Sequence, residues 1–310
     1  MTSVGKASAV VWLAVLSMTG CHISSERAPR VPKVVAAAGD IACESSESDL
    51  DGGDPNQCQA RATADLLAKA DAVIPLGDLQ YPDGTLESYD QGYDPTWGKF
   101  ADESYPAPGN HDYHVAGADG YFDYWTSKDR PTGPRGSGYY SWDLGSWHLI
   151  SLNSNCDDVA CEEGSPQNDF LEQDLAGTTK RCVLAYWHHP LFNSGEVHGS
   201  SVPSGAEAFW QDLSAAGADI VLNGHEHNYQ RYGKQDASGR AMSSGIREFV
   251  AGTGGKSHYG LLDEKDPNYE TGNATHFGVL LLHLGDDSYS WEFVAVSGAV
   301  LDAGGPVPCN

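Results

Sequence analysis

Positive charge is scarce in this 310-residue chain, which has 18 lysines and arginines against 43 aspartates and glutamates. The formal net charge of −25 argues against nucleic acid or an anionic membrane as a partner, because both require a basic protein face. Repetitive and collagen-like sequence is also lacking. A hydrophobic fraction of 40% with 8 Trp and 15 Tyr excludes a disordered chain, and the length suits one large domain or two small ones with a proper core.

Long apolar runs are absent after the first 20 residues, so no later segment is predicted to cross a membrane. The N-terminus has the form of an export signal, in which Lys6 precedes a short apolar run over 9–16. That run leads to Gly20-Cys21, which resembles the lipobox of bacterial lipoproteins, although Met18 stands where leucine is more usual. We expect an export signal over 1–21, a lipid anchor at Cys21 and a polar tether over 22–33. Ordinary cleavage nearby and a retained short anchor are the alternatives.

The chain contains no Cys-x-x-Cys pair, which disfavours a cysteine metal site. If Cys21 carries lipid, six cysteines remain, and an even number in an exported protein indicates disulfides. The sequence alone leaves the pairing open. Local spacing favours Cys43–Cys58 and Cys156–Cys161, which leaves Cys182 for Cys309.

From residue 34 onward, short apolar runs alternate with helical stretches, the pattern of an α/β fold. The run 34–38 ends at Gly39-Asp40, and the run 72–76 ends at Gly77-Asp78. Between them, a helix is predicted with Ala62, Leu66, Leu67 and Ala70 on one face. This strand–helix–strand unit places the two aspartates side by side at the carboxyl ends of parallel strands, where open α/β sheets bind ligands.

The remaining pattern continues without a linker-like break, so we predict one catalytic domain over 34–310. Further predicted elements are a hairpin of strands 138–144 and 147–152, helices 167–176 and 206–216, and strands 183–187, 220–222, 248–251, 277–284 and 289–296.

Side chains able to bind metal follow four of these strands and one extended segment. They are Asp40, Asp78, His188, the pair His225 and His227, and the block Gly109-Asn110-His111-Asp112. Each motif alone is weak, because Gly-Asp is a common turn and a lone strand histidine is more often packed in a core. Together they supply oxygen and nitrogen ligands at one rim of a sheet, which suits Zn, Mn or Fe rather than Ca or Mg. A shared carboxylate can hold two such ions, the arrangement that displaces groups at phosphorus.

In this order the blocks resemble the calcineurin-like metallophosphoesterases, and Tyr81, three residues after Asp78, is similar to the purple acid phosphatase branch. The resemblance covers residues 34–296. It implies a four-layer α/β/β/α sandwich with the metal site at the carboxyl ends of the strands. The matching blocks are Gly39-Asp40, Gly77-Asp78-Leu79-Gln80-Tyr81, Gly109-Asn110-His111-Asp112, His188 with Pro190, and Gly224-His225-Glu226-His227.

The resemblance also implies two metal ions bridged by Asp78. The first ion would take Asp40, Asp78, Tyr81 and His227. The second would take Asp78, Asn110, His188 and His225. The resemblance implies Fe(III) beside the Tyr81 phenolate, with Zn, Mn or Fe(II) at the second position.

Two further histidines, His111 and His198, resemble the family's non-ligand imidazoles, which bind the phosphate or protonate the leaving group. Asp112 is expected to orient His111. The alternative for His198 is that it is a solvent-exposed loop histidine without a role in the reaction. Because adjacent strand residues face opposite ways, only one of His188 and His189 should be a ligand, and the His-x-Pro pattern favours His188.

The function implied is an acid phosphatase that uses a metal-bound hydroxide on small-molecule phosphate monoesters, outside the cell or anchored at its surface. Two alternatives stay open. One is a phosphodiesterase or nucleotide hydrolase of the same fold, and the other is a surface lipoprotein that binds metal or phosphate without turnover.

Overall fold

The computed structural model describes residues 1–3, 5, 31–44, 58–199 and 206–310. The apolar run of the predicted export signal, Cys21 and nearly all of the predicted tether lie outside the described residues. Within the described ranges, no helix has both the length and the apolar character needed to span a bilayer.

Two β-sheets form the centre of the described chain. The strands are β1 (Lys33–Ala38), β2 (Ala72–Pro75), β3 (Tyr140–Leu144), β4 (Trp147–Ser151), β5 (Cys182–Tyr186), β6 (Ile220–Asn223), β7 (Tyr229–Tyr232), β8 (Arg247–Ala251), β9 (Tyr269–Asn273), β10 (Gly278–Leu284), β11 (Ser288–Ala295) and β12 (Val300–Pro308). One sheet has the order β12-β11-β10-β1-β2, and the other has the order β3-β4-β5-β6-β8-β7-β9. The helices are α1 (Ala60–Ala64), α2 (Leu86–Ser88), α3 (Asp119–Ser127), α4 (Pro166–Gly177) and α5 (Glu207–Ala216).

Alternate residues of each strand enter different cores, because successive side chains point to opposite faces of a sheet. Val35 of β1 lies in the core between the two sheets, whereas Ala36 packs on the other face with residues of α1 and α3. In the second sheet, Leu184 of β5 faces the first sheet, whereas Val183 packs against α4 and α5. The layers are therefore helix, sheet, sheet and helix, and the predicted four-layer sandwich is confirmed.

The predicted hairpin and the predicted strands are present with small shifts at their ends. The first helix is different: α1 is followed by a 3-10 turn over Asp65–Lys69, and the buried residues include Thr63 and Ala64 rather than Ala62. Strands β7, β9 and β12 and helix α3 were not predicted. Strand β12 contains Gly304, Gly305 and Pro306, which disfavour a strand, but it lies at a sheet edge where proline is tolerated.

All three predicted disulfides are confirmed, namely Cys43–Cys58, Cys156–Cys161 and Cys182–Cys309. The third joins the start of β5 to the residue after β12, so it ties the two sheets together. Each bond is expected to contribute about 2–4 kcal/mol to the free energy of unfolding.

The carboxyl ends of β1, β2, β5 and β6 meet at one edge of the sandwich. Strands β1 and β2 are parallel in the first sheet, and β5, β6 and β8 are parallel in the second. Hydrogen bonds join the sheets at this edge, since Gly39 N donates to Ala251 O at 2.9 Å and the His188 ring lies 2.8 Å from Leu76 O. Side chains that follow these strands are thus delivered from both sheets into one place.

Candidate metal centre

One group of side chains surrounds the phenol of Tyr81. Its hydroxyl lies 2.9 Å from both Asp40 Oδ1 and Asp78 Oδ2, either of which can accept its one hydrogen, and 3.0 Å from His227 Nε2. His227 Nε2 is in turn 3.3 Å from Asp40 Oδ1. All four residues are buried. The structure therefore brings together the four ligands predicted for the first ion.

A second group meets at His188 on the other side of Asp78. His188 Nε2 lies 3.3 Å from Asp78 Oδ2, 3.2 Å from Asn110 Oδ1 and 3.2 Å from His225 Nδ1. The same Asp78 oxygen thus belongs to both groups. This oxygen lies 2.9 Å from the Tyr81 hydroxyl and 3.3 Å from His188 Nε2.

Hydrogen bonds at the remote atoms aim these ligands at the centre. Asp40 Oδ2 accepts from the backbone N–H of His225 at 2.8 Å, which leaves Asp40 Oδ1 directed at Tyr81. His188 Nδ1 lies 2.8 Å from Leu76 O, and His227 Nδ1 lies 2.7 Å from the hydroxyl of Ser257. Contacts of this kind fix ring orientation in metal sites and leave Nε2 free for the ion.

Three predicted ligands occupy the left-handed backbone region, with φ of 59° at Asp40, 51° at Asp78 and 70° at His225. Such values are uncommon for residues other than glycine and persist where the surroundings over-determine them, often at functional sites. The glycines of the same motifs contribute to these tight surroundings, because other groups pack against them more closely than a side chain would allow. A Cβ at Gly77 would lie 2.5 Å from His188 Nδ1, and one at Gly109 would lie 2.2 Å from Asp78 Oδ1.

The electrostatics of the centre favour the binding of cations. Burial works to raise the pKa of Asp78, but the charge of His188 and its hydrogen bond hold that pKa well below its usual range. Burial also lowers the pKa of His188, yet Asp78 raises it to about 9. Burial, and then the charges of Asp40 and Asp78, raise the pKa of Tyr81 well above its ordinary value, so the phenol requires a cation to ionise. Asp40, Asp78 and His188 each offer a ligand atom within 4.8 Å of the others, and this oxygen and nitrogen set suits Zn, Mn or Fe.

His111 lies at the open side of the centre. Its Nδ1 is 2.6 Å from Pro82 O, and its Nε2 is 3.9 Å from Asp78 Oδ2. The imidazole packs on Tyr81 with 4.2 Å between ring centroids, and its side chain is 27% exposed. Such a ring can reach a group bound at the centre without itself being a ligand.

The expected contact between Asp112 and His111 is not made, which corrects that part of the prediction. Asp112 is buried, and its two oxygens accept from Gly109 N at 2.8 Å and from the Tyr89 hydroxyl at 2.6 Å. Burial, and then the charge of Asp78, raise the pKa of Asp112 to about 7. Because Asp112 bonds back across its own turn, it holds the segment 109–111 in place while its carboxyl points away from the His111 ring.

His198 also lies at the centre, although it belongs to a loop far along the chain. Its ring stacks on His225 with 3.9 Å between centroids, and its Nδ1 lies 2.9 Å from Glu226 Oε2. Glu226 is fully buried and was not assigned a role from the sequence. The sequence signal that could have identified Glu226 is its position between His225 and His227, because residues next to metal ligands often orient nearby side chains.

His189 is the other residue that sequence reasoning missed. The strand β5 ends at Tyr186, so His188 and His189 follow the strand and the alternation of strand side chains does not separate them. The His189 ring lies 4.4 Å from that of His225, and its Nδ1 is 2.8 Å from Ser154 Oγ. Both histidines therefore border the centre.

The chain is similar to phosphoesterases of known sequence and structure. A family model described as calcineurin-like phosphoesterase matches residues 34–229. Purple acid phosphatase 15 of Arabidopsis thaliana is 29% identical over 158 residues, which cover 47% of this chain and 29% of that protein. Purple acid phosphatase 22 of the same plant is 33% identical over 132 residues, which cover 42% of this chain and 30% of that protein.

Among solved structures, the purple acid phosphatase PPD1 from yellow lupin (Lupinus luteus) seeds has the same fold. It matches with a TM-score of 0.72 at 20% sequence identity, over 87% of this chain and 53% of that chain. The chain thus spans less than a third of the length of the two Arabidopsis relatives and about half of the lupin structure.

Proposed function

This chain belongs to the calcineurin-like phosphoesterase family, and from that premise we propose that it is a two-metal hydrolase of phosphate monoesters, an acid phosphatase. The observation that carries the proposal is the single oxygen, Asp78 Oδ2, that lies within hydrogen-bonding or ligand distance of both Tyr81 and His188. Two sets of donors that share one buried carboxylate suit the displacement of a group at phosphorus.

In this proposal, Asp40, Asp78, Tyr81 and His227 hold one ion, and Asp78, Asn110, His188 and His225 hold the other. The Tyr81 phenolate is a hard anion and favours Fe(III), while Zn, Mn or Fe(II) suits the second group. When bound, the ions supply positive charge for the phosphate and an acidified water as the nucleophile.

The chain's own contribution lies in the imidazoles that are not proposed as metal ligands. Pro82 O fixes His111 at Nδ1, so Nε2 is the atom that can bind a phosphate oxygen or give a proton to the leaving oxygen. Glu226 binds His198 at Nδ1, and the His198 ring stacks on that of His225, a ligand proposed for the second ion. In this proposal both rings contact a phosphate at the centre.

We propose export from the cytoplasm as well, with lipid attachment at Cys21. Three disulfides suit an oxidising compartment, because thiols stay reduced in most cytosols. Radiolabelled fatty acid incorporated into the wild-type chain and absent from Cys21→Ser would support the anchor, and equal labelling would reject it.

The reaction is tested with the full chain loaded with metal, by comparing kcat/KM for p-nitrophenyl phosphate and for bis(p-nitrophenyl) phosphate. We expect the monoester to be preferred. His111→Ala should retain both metals and lose about 10²–10⁴ in rate. The control His283→Ala should keep both metals and the wild-type rate, since His283 pairs with Val34 near the start of β1, at the strand end opposite Asp40. Preference for the diester would favour a phosphodiesterase, and full metal content without hydrolysis of either ester would favour a binding protein.

The metal assignment is tested by metal analysis and a visible spectrum of the wild type and Tyr81→Phe. We expect an absorbance band in the visible region that the substitution abolishes, because Phe has no oxygen to donate charge to iron. A colourless, active wild type that contains only Zn or Mn would reject iron at this position and leave the hydrolase standing.

A further inference from the structure

A cavity of about 360 Å³ opens beside the second ligand group, on the side of Asn110 and His189. Its lining also includes Cys156, Asp157 and Asp158 of the loop that the Cys156–Cys161 disulfide closes, with 5.2 Å between the two Cα atoms. The cavity therefore connects a proposed ligand of the second ion, Asn110, with the disulfide loop.

Two buried side chains present unused polar atoms at this cavity. Asn155 and His189 are each only 7% exposed. The Asn155 amide nitrogen donates to Asn153 Oδ1 at 2.9 Å, and His189 Nδ1 lies 2.8 Å from Ser154 Oγ. Among the residues that the structure describes, neither Asn155 Oδ1 nor His189 Nε2 has a hydrogen-bonding partner. Both atoms can therefore form a hydrogen bond with a ligand in the cavity.

The lining of the cavity carries two negative charges. Asp157 and Asp158 on the disulfide loop are exposed and line it, and among the residues that the structure describes no lysine or arginine does. The lining His114 is already engaged, because its Nδ1 lies 3.0 Å from the carboxylate of Asp83. Burial raises the pKa of the lining residue Tyr113 to about 12, and the charge of Asp158 adds to that rise.

Resting on the proposed function, we propose that this cavity holds the leaving group of the ester and favours one that carries an ammonium group. The substrate class is then phosphate monoesters of amino alcohols, in preference to esters that bear a carboxylate or a second phosphate. Asn155 Oδ1 supplies a neutral acceptor for an N–H donor, and Asp157 and Asp158 supply the charge. Anionic leaving groups would meet the same two carboxylates and be repelled.

The test uses three phosphonates that cannot be hydrolysed and that differ at the end of a three-carbon chain. They are 3-aminopropylphosphonate, butylphosphonate and 4-phosphonobutanoate, with ammonium, methyl and carboxylate ends. Their affinities for the metal-loaded full chain are measured by calorimetry and, in parallel, as inhibition of p-nitrophenyl phosphate hydrolysis. We expect the ammonium compound to bind about tenfold more tightly than the carboxylate compound, with the neutral one between them.

The variant D157N/D158N should reduce this ratio to about threefold or less. Its control is D102N/E103Q, which removes two exposed carboxylates next to Ser104, and Ser104 pairs with Val73 near the start of β2, away from the metal centre. The control should keep the wild-type ratio. Asn155→Leu should weaken only the ammonium compound.

Equal affinities in the wild type would overturn the inference. So would a control variant that loses the ratio as much as D157N/D158N does, since the overall charge of −25 would then be the cause. Because calorimetry needs no turnover, a protein that ranks the phosphonates as expected but leaves p-nitrophenyl phosphate intact would retain the pocket and reject the phosphatase.

Discussion

Gly109 is the position where one added methyl group should most directly disturb the centre. In Gly109→Ala the new Cβ would lie 2.2 Å from Asp78 Oδ1 and 2.3 Å from the backbone nitrogen of Asp78. Real Cβ contacts are not found below 3.0 Å, so one of the two segments must move by at least about 0.8 Å. Neither neighbour is the flexible end of a side chain, because Asp78 is buried and its Oδ1 accepts from His111 N at 2.7 Å.

A shift of Asp78 moves the carboxylate that both ligand groups share, and a shift of the other segment moves Asn110, which follows Gly109 directly. Overpacking of this kind costs about 1–3 kcal/mol of folding free energy, and a displacement near 1 Å at a reacting centre can cost about 10²-fold in rate. We therefore expect Gly109→Ala to lower the melting temperature by about 2–6 °C, to bind less than two metal equivalents, and to lose about 10²-fold in kcat/KM.

The assays are metal analysis of the purified variant, calorimetric melting, and hydrolysis of p-nitrophenyl phosphate. The matched control is Gly177→Ala at the end of α4, where a Cβ would have no heavy atom within 4 Å. It should behave as the wild type in all three assays. A Gly109→Ala protein with full metal content and kcat/KM within about threefold of the wild type would refute the reasoning.

Two further predictions concern stability. His148 lies between Asp143 (2.8 Å) and Asp174 (2.7 Å); burial lowers its pKa, but these two carboxylates raise it above the ordinary value. The stabilising charge is therefore complete below a pH of about 6.5 and is lost as the pH rises through the raised pKa. His148→Gln should lower the melting temperature by about 2–4 °C at pH 6 and by less at pH 10, and an equal loss at both pH values would contradict this. Replacing Cys182 and Cys309 by serine should lower the free energy of unfolding, measured in urea, by about 2–4 kcal/mol. Replacing Cys156 and Cys161 should lower it by less, because that disulfide joins residues only 5 apart in the chain, whereas Cys182 and Cys309 are 127 apart. Equal losses would indicate that the length of the closed loop is not the cause.

Local sequence could predict which residues meet at the centre because several individually weak motifs each follow a predicted strand. The pairs Gly39-Asp40 and Gly77-Asp78 end buried apolar runs, and His188 follows such a run as well. Parallel strands deliver their carboxyl ends to one edge, so residues at those ends meet whatever the details of the loops. The disulfides were predictable for a different reason, because local spacing favours two short pairs among six cysteines and leaves Cys182 for Cys309.

The orientation of neighbouring side chains was not predictable in this way. Asp112 follows His111 directly, yet its carboxyl bonds to Tyr89, which lies 23 residues earlier in the chain. His189 was set aside by the alternation of strand residues, but the strand ends three residues before it. In both cases the outcome depends on a turn whose geometry is fixed by distant contacts.

The sequence by itself determined the candidate donor residues, their order along the chain and the α/β class of the fold, because these depend on local patterns of apolar and polar residues. Only the tertiary structure decided which oxygen of Asp78 lies near both groups, which nitrogen of each imidazole the protein itself binds, and that Asn155 borders a cavity with two acidic lining residues. These properties arise from hydrogen bonds between segments far apart in the chain, such as the bond of His225 N to Asp40, which no local pattern encodes.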